Sequence, residues 1–182
     1  PMKLVPTRPN TLTLLRPFLI GIAGIAALTA SSHISVPMYP VPMTMQTMVV
    51  LMLGALLGPR AGAMTVLAWL ALSLTGAPVL SGGKPGLVAL AGPTAGYLIS
   101  FPLVAFTAGL LPKGDRIGAH LSRLLGFVGL HGVILFAGWS WLSALTGPEV
   151  AFATGVAPFL LGALIKSGLA TALLAAFPRR AG

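Results

Sequence analysis

The sequence predicts an all-α integral membrane protein in which six transmembrane helices cross the bilayer and both termini are cytoplasmic. Of the 182 residues, 56% are apolar and only 7% are charged, and the mean hydropathy is +0.97. Soluble domains carry about 25% charged residues, and a chain of this length could not hide so much apolar surface from water. Besides this composition, two features of the sequence support the prediction: a series of six apolar stretches and a one-sided distribution of basic residues.

The six apolar stretches are the predicted helices, and they make residues 1–182 a single membrane domain. A spanning helix needs roughly 20 apolar residues, so loop residues must complete the shorter stretches. Leu and Ala favour helices, which satisfy their own backbone hydrogen bonds in lipid. Gly58-Pro59-Arg60 forms the turn between the second and third helices, and Pro93 and Pro158 stand where a helix can begin. The predicted helices run over residues 17–32, 44–57, 61–75, 93–111, 121–145 and 158–177.

The basic residues predict the orientation in the membrane. With both termini on one side, that side holds nine of the eleven Lys and Arg residues: Lys3, Arg8, Arg16, Arg60, Lys113, Arg116, Arg123, Arg179 and Arg180. Basic loops remain on the cytoplasmic side, so we expect cytoplasmic termini. The connections over 31–43, 76–92 and 146–157 then lie outside, and their length and Gly and Pro content predict that recognition occurs there.

The composition excludes several classes of function. Asp115 and Glu149 are the only acidic residues, so neither a paired-carboxylate mechanism nor a carboxylate-rich cation site is expected. Cysteine is absent, and His33, His120 and His131 have no metal-ligand spacing, so we expect no metal site. No Ser–His–Asp set suits the membrane plane, and we expect no enzyme. The net charge of +9 comes without a basic stripe interleaved with aromatic residues, so membrane lipid and not nucleic acid is the expected surrounding.

Lys166 is the residue that points most strongly to a ligand. It lies about eight residues into the sixth helix, roughly 12 Å below the outer end at 1.5 Å per residue. An ionisable group at this depth faces a cavity, a ligand or a partner, or else it extends its amine towards water. Because no acid of this chain is placed to pair with it, an anionic or strongly hydrogen-bonding solute is its natural partner.

Polar residues on two other helices are expected at the same depth as Lys166. Thr44, Gln46 and Thr47 lie at the outer start of the second helix, and Tyr97 lies one turn into the fourth. Together with Lys166 they predict a pocket that opens to the outside. The alternatives are that Gln46 bonds only to a neighbouring helix and that Tyr97 only anchors the membrane interface.

The segment 81–86, with sequence SGGKPG, is another candidate contact. A phosphate-binding loop would need Ser or Thr after Lys84, where Pro85 stands. Gly82 and Gly83 could instead let backbone approach a ligand or close the pocket. A purely structural turn is the alternative.

Small residues recur on the first helix at a spacing that permits close helix packing. Ala23 with Ala27 and Ala26 with Ala30 form two overlapping small-xxx-small patterns. The pattern is compatible with packing inside this chain and with docking of a partner helix.

Four segments in fixed order carry a family resemblance: 40–47 (PVPMTMQT), 54–60 (GALLGPR), 76–79 (GAPV) and 92–98 (GPTAGYL). They resemble the BioY family, the biotin-binding S components of energy-coupling-factor (ECF) transporters. The sixth helix of that family typically reads PFLPGDLIK. This chain reads PFLLGALIK over 158–166, so it keeps Lys166 and has Ala163 in place of the acid.

The resemblance implies the ECF S-component fold and high-affinity capture of biotin from outside a bacterial cytoplasmic (inner) membrane. Biotin is the transported ligand, and no cofactor is implied. The implied partners are a transmembrane coupling protein and two cytoplasmic ATPases. The alternatives are an S component for another vitamin, or a solitary biotin transporter that self-associates. An autonomous secondary transporter would need an ion relay, for which the chain has too few acids.

The resemblance also assigns expected roles to the candidate residues. The small-residue pattern becomes the docking surface for the coupling protein, formed by Ala23, Ala26, Ala27 and Ala30. The expected ligand-binding residues are Thr44, Gln46, Gly82, Gly83, Lys84, Tyr97 and Lys166.

Overall fold

A computed structural model describes residues 11–114 and 116–176, and helices make up most of them. In chain order these are α1 (Thr11–His33), α2 (Gln46–Leu57), α3 (Pro59–Leu74), α4 (Gly86–Ala91), α5 (Ala95–Ala108), α6 (Ile117–Thr146), α7 (Pro148–Gly155) and α8 (Phe159–Ala176). Between α1 and α2, strands β1 (Ser35–Val36) and β2 (Met43–Thr44) pair antiparallel. A 3-10 turn over Ser81–Gly83 precedes α4.

Three of these helices are long and apolar enough to cross a membrane, namely Leu15–His33 within α1, α6 and α8. The helices α2, α3 and α5 are also apolar but shorter, with 12, 16 and 14 residues respectively. The predicted all-α membrane architecture is thereby confirmed. Six crossings and cytoplasmic termini stay predictions, and residues 1–10 and 177–182 lie outside the described residues.

The connections that the sequence predicts to lie outside contain more secondary structure than expected. The 76–92 connection contains α4, and the 146–157 connection contains α7. These helices have 6 and 8 residues, too few for hydrophobic periodicity to reveal them. Thr44, expected at the start of the second helix, lies instead in β2, where it pairs with Ser35.

α5 occupies the centre of the bundle and packs against α2, α3 and α6. Glycines permit its close approach to two of these neighbours. Gly54 of α2 lies against the Ala105 carbonyl of α5, and Gly96 of α5 lies against the Ala137 carbonyl of α6. Small residues at such crossings let helix backbones approach closely. This packing fixes the relative positions of the helices that line the site.

We expect Gly54→Ala to destabilise the protein. A Cβ at this position would overlap the Ala105 carbonyl and come within 2.9 Å of the Ala108 Cβ. Overpacking of this kind costs about 1–3 kcal/mol, which a lower midpoint of thermal unfolding in detergent would report. Gly132→Ala in α6 is the matched control, because its added Cβ has nothing within 4 Å. Equal midpoints for the two variants would contradict the packing role of Gly54.

Candidate ligand-binding site

A cavity lies where α2, α5, α6 and α8 meet. It encloses about 740 Å³ of space, including the open solvent at its mouth. Most of its wall is apolar, with polar side chains at a few positions. The lining residues are Val41, Pro42, Thr44, Gln46, Thr47, Leu80, Ser81, Lys84, Ala89, Thr94, Tyr97, Leu98, Phe101, His131, Ile134, Leu135, Phe159, Ala163 and Lys166.

The cavity has two distinct ends. The connection between α1 and α2 and the connection between α3 and α5 line one end, which we call the loop end. On α2, α5, α6 and α8, the lining residues furthest from these connections are Thr47, Phe101, His131 and Lys166. We call this second end the deep end. Three of its four residues are polar, namely Thr47, His131 and Lys166.

Lys166 is 7% exposed, and its ammonium group is held within the cavity wall. Its Nζ donates a hydrogen bond of 3.1 Å to the carbonyl oxygen of Thr44. Among the described residues, no carboxylate lines the cavity. An ammonium group has three donors. The bond to Thr44 therefore leaves two of them for a solute.

Gln46 provides a second free donor beside Lys166. Its Oε1 accepts a hydrogen bond of 3.2 Å from Thr44 Oγ1, which orients the amide. Its Nε2 is buried and has no hydrogen-bond partner among the residues that the structure describes. A buried donor without a partner costs about 1–3 kcal/mol. A ligand that accepts from this amide would recover that free energy.

Tyr97 lines the cavity with its ring but directs its hydroxyl elsewhere. The hydroxyl donates a hydrogen bond of 2.7 Å to the carbonyl oxygen of Gly155, at the end of α7. The ring lies 6.4 Å from that of Phe159, centroid to centroid. Tyr97 therefore joins α5 to α7 and shapes the wall, and only an oxygen lone pair is left for a solute.

The 81–86 segment divides into residues that line the cavity and residues that do not. Lys84 and Ser81 line the loop end, whereas Gly82 and Gly83 lie outside the lining. Both glycines have positive φ, 68° and 67°, which other residues rarely adopt. The backbone geometry accounts for glycine at these positions, in line with the structural-turn alternative.

His131 lines the cavity although the sequence analysis did not place it there, and it contacts Thr47, which the sequence analysis noted for its depth but did not list among the ligand-binding residues. His131 is 2% exposed, and its Nδ1 lies 2.9 Å from Ser167 Oγ and 3.1 Å from the Phe127 carbonyl oxygen. Its Nε2 lies 3.1 Å from Thr47 Oγ1. We considered His131 only as a metal ligand, and in the described residues no metal cluster includes it. The sequence does carry a signal for His131, because a polar side chain halfway along an apolar helix often faces a cavity or a partner.

All four alanines of the small-residue pattern are exposed, on one face of α1 that we call the alanine face: Ala23, Ala26, Ala27 and Ala30. The opposite face carries Gly24 and Leu28, which are buried against the bundle. A Cβ at Gly24 would meet Thr65 of α3 and Leu53 of α2. Packing within the described chain therefore uses the other side of α1.

We expect Tyr97→Phe to lower stability, because the Gly155 carbonyl would lose its donor within a buried contact. Such a loss costs about 1–3 kcal/mol. Thermal unfolding in detergent measures it. Tyr39→Phe is the matched control, since Tyr39 is 94% exposed. A midpoint for Tyr97→Phe equal to that of the control would show that the hydroxyl does not hold α7.

Comparisons with known proteins agree with the resemblance seen in the sequence. The BioY family model matches residues 8–182. The probable biotin transporter BioY of Pyrococcus horikoshii is 37% identical over 150 residues, 82% of this chain and 88% of the relative. The biotin transporter BioY of Rhizobium etli is 36% identical over 163 residues, 83% and 85% of the two chains. A crystal structure of the S-component for biotin from an ECF-type ABC transporter has a TM-score of 0.77 and 26% identity over 96% of this chain and 97% of that chain. This chain belongs to the BioY family.

Proposed function

We propose that this chain takes up biotin as the substrate-binding S component of an ECF-type transporter. The observation that carries the proposal is the apolar cavity with unsatisfied donors on Lys166 and Gln46, in a chain of the BioY family. The relatives are named as transporters, and we propose no enzymatic reaction and no cofactor.

The chemistry of biotin suits this cavity. Biotin joins a neutral, hydrogen-bond-rich ureido ring to an apolar tail that ends in a carboxylate. Side chains such as Leu98, Phe101 and Ile134 give apolar contact, while a few polar groups fix the orientation. Lys84 and Lys166 both line the cavity, and either cation could bind the carboxylate.

The proposed ligand contacts come from Thr44, Gln46, Tyr97, Lys84 and Lys166. We assign no direct contact to the two glycines of the 81–86 segment, which hold the turn that brings Lys84 to the cavity. The connections at the loop end close over the bound ligand, which enters from outside the cell. This proposal also places residues 1–182 in a single domain with six crossings and cytoplasmic termini, in a bacterial cytoplasmic membrane.

Transport requires partners in this proposal, because the chain carries no motif that would convert energy. A transmembrane coupling protein would bind the alanine face, and two cytoplasmic ATPases would drive it. The exposure of that face supports the assignment, since the described chain does not use it for its own packing. A solitary transporter that self-associates through α1 is the alternative.

We expect Lys166→Met to weaken biotin binding about 10- to 100-fold, because a hydrogen bond to a charged group is lost from a buried site. Equilibrium binding of labelled biotin to the purified chain in nanodiscs measures the change. Lys113→Met is the control, since Lys113 is exposed on the connection between α5 and α6. Unchanged affinity in Lys166→Met would contradict the site. Absence of binding to the folded wild-type chain would contradict biotin as the ligand and direct attention to other vitamins, with Ala163 as the altered contact.

We expect Ala27→Leu to reduce uptake of labelled biotin by at least about tenfold in cells that also express an ECF module, because bulk on the alanine face prevents close helix approach. Binding by the purified variant should stay unchanged. Ala144→Leu is the matched control, an exposed alanine on α6, a helix that packs mainly on α5, α7 and α8. Loss of binding in Ala27→Leu would refute the docking role, and so would uptake equal to that of the control.

A further inference from the structure

A chain of hydrogen bonds crosses the deep end of the cavity and joins three helices. Ser167 of α8 contacts His131 of α6 at 2.9 Å, and His131 contacts Thr47 of α2 at 3.1 Å. Ser167 Oγ donates its hydrogen at 2.8 Å to the Ala163 carbonyl oxygen, one turn earlier in α8. The Ser167 oxygen can therefore only accept from His131.

These contacts assign the proton positions on His131. Its Nδ1 faces two acceptors, the Phe127 carbonyl and the Ser167 oxygen, so Nδ1 carries the hydrogen. A charged ring would place a second buried cation beside Lys166 in a lining that has no carboxylate among the described residues. The ring is therefore neutral, and its Nε2 is an acceptor. Thr47 Oγ1 donates to that nitrogen.

The donation fixes what Thr47 presents to a ligand. A threonine hydroxyl has one hydrogen and two lone pairs. With its hydrogen held by His131, the hydroxyl oxygen of Thr47, a lining residue, offers only lone pairs to a ligand. Lys166 and Gln46 offer donors. The cavity thus combines fixed donors with one oriented neutral acceptor.

A cyclic urea matches that combination. Its carbonyl oxygen accepts hydrogen bonds, and an N–H donor lies on each side of the carbonyl. A carboxylate has only acceptors. It would bring its oxygens against the Thr47 lone pairs. The hydrogen-bond pattern therefore favours a ureido ring over a carboxylate beside Thr47.

We propose that Thr47 accepts a hydrogen bond from a ureido N–H of the bound ligand, and that His131 is a positioning residue that holds the Thr47 hydroxyl in the accepting orientation. The inference rests on the proposed function, because it takes biotin as the solute. It adds two residues that make the site specific for a ring bearing N–H donors.

Equilibrium binding of labelled biotin in nanodiscs tests the role of Thr47. Thr47→Val keeps the shape and removes the hydroxyl, and it should weaken binding about 10- to 100-fold because a buried N–H loses its acceptor. Thr47→Ser keeps the hydroxyl and should bind within about threefold of the wild type. Equal affinities for the Val variant and the wild type would overturn the proposal. So would equal losses in the Val and Ser variants.

Two variants of His131 separate positioning from structural support. His131→Gln can place an amide oxygen near the Nε2 position, facing Thr47, and should bind within about threefold of the wild type. The shorter side chain in His131→Asn can reach Ser167 and the Phe127 carbonyl, the partners of Nδ1, but not Thr47. This variant should therefore weaken biotin binding about tenfold. In the Thr47→Val background, His131→Asn should cause no further loss, because the hydroxyl that it orients is gone. Independent, additive losses would overturn the positioning role.

Biotin analogues separate failure of this inference from failure of the proposed function. Thr47→Val should weaken binding of biotin and dethiobiotin by the same factor, since both keep the ureido ring. Biotin can be methylated on either of its two ureido nitrogens, which gives two analogues. For the analogue whose methyl group replaces the hydrogen donated to Thr47, the wild type and Thr47→Val should have equal affinities. If Thr47→Val weakens binding of both methylated analogues as much as of biotin, Thr47 does not accept from an N–H. If the wild type binds none of these ligands, the proposed function itself fails.

Discussion

The Lys166 ammonium group is a buried cation in an apolar bundle, so polar atoms must surround it. The chain meets this requirement with the backbone carbonyl of Thr44, 3.1 Å away. Thr44 belongs to the short β1–β2 pair, in which it lies opposite Ser35, and the neighbouring bond from Met45 N to the Ile34 carbonyl extends that pairing. The lysine therefore fixes α8 to the connection between α1 and α2. One bond positions both the cation and a wall of the cavity.

The other polar groups of the cavity follow from that placement. Thr44 also orients Gln46, whose amide nitrogen is left without a partner. On the neighbouring residues of α8 and α2, Ser167 orients His131, and His131 orients Thr47. Lys166, Gln46 and Thr47 are thus each held by a hydrogen bond to another residue of the chain. A ligand then meets groups that are already ordered, which lowers the conformational entropy lost on binding.

The sequence predicts the long helices because lipid demands long apolar stretches, and it selects Lys166 because charge at depth is costly. It does not predict α4, α7 or the β1–β2 pair, since tertiary contacts and not periodicity define such short elements. It also fails to select His131, whose partner Thr47 lies 84 positions away and whose hydrogen bonds become visible only once α2 and α6 are packed. The sequence suggests Gly82 and Gly83 as ligand contacts because glycine lets a backbone approach a ligand. In the structure, their positive φ angles explain why glycine occupies these positions.

Helix α1 links the proposed docking surface to a connection that lines the cavity. The last turn of α1 contacts the connection between α3 and α5, through Ser32 Oγ to the Val79 carbonyl at 2.7 Å and His33 Nε2 to the Pro78 carbonyl at 3.1 Å. That connection carries Lys84 to the loop end. Since hydrogen bonds of this length tolerate little displacement, a shift of α1 relative to α3 would carry the connection with it or break both bonds. A partner bound at the proposed docking surface would thus act on the connection that carries Lys84 to the cavity.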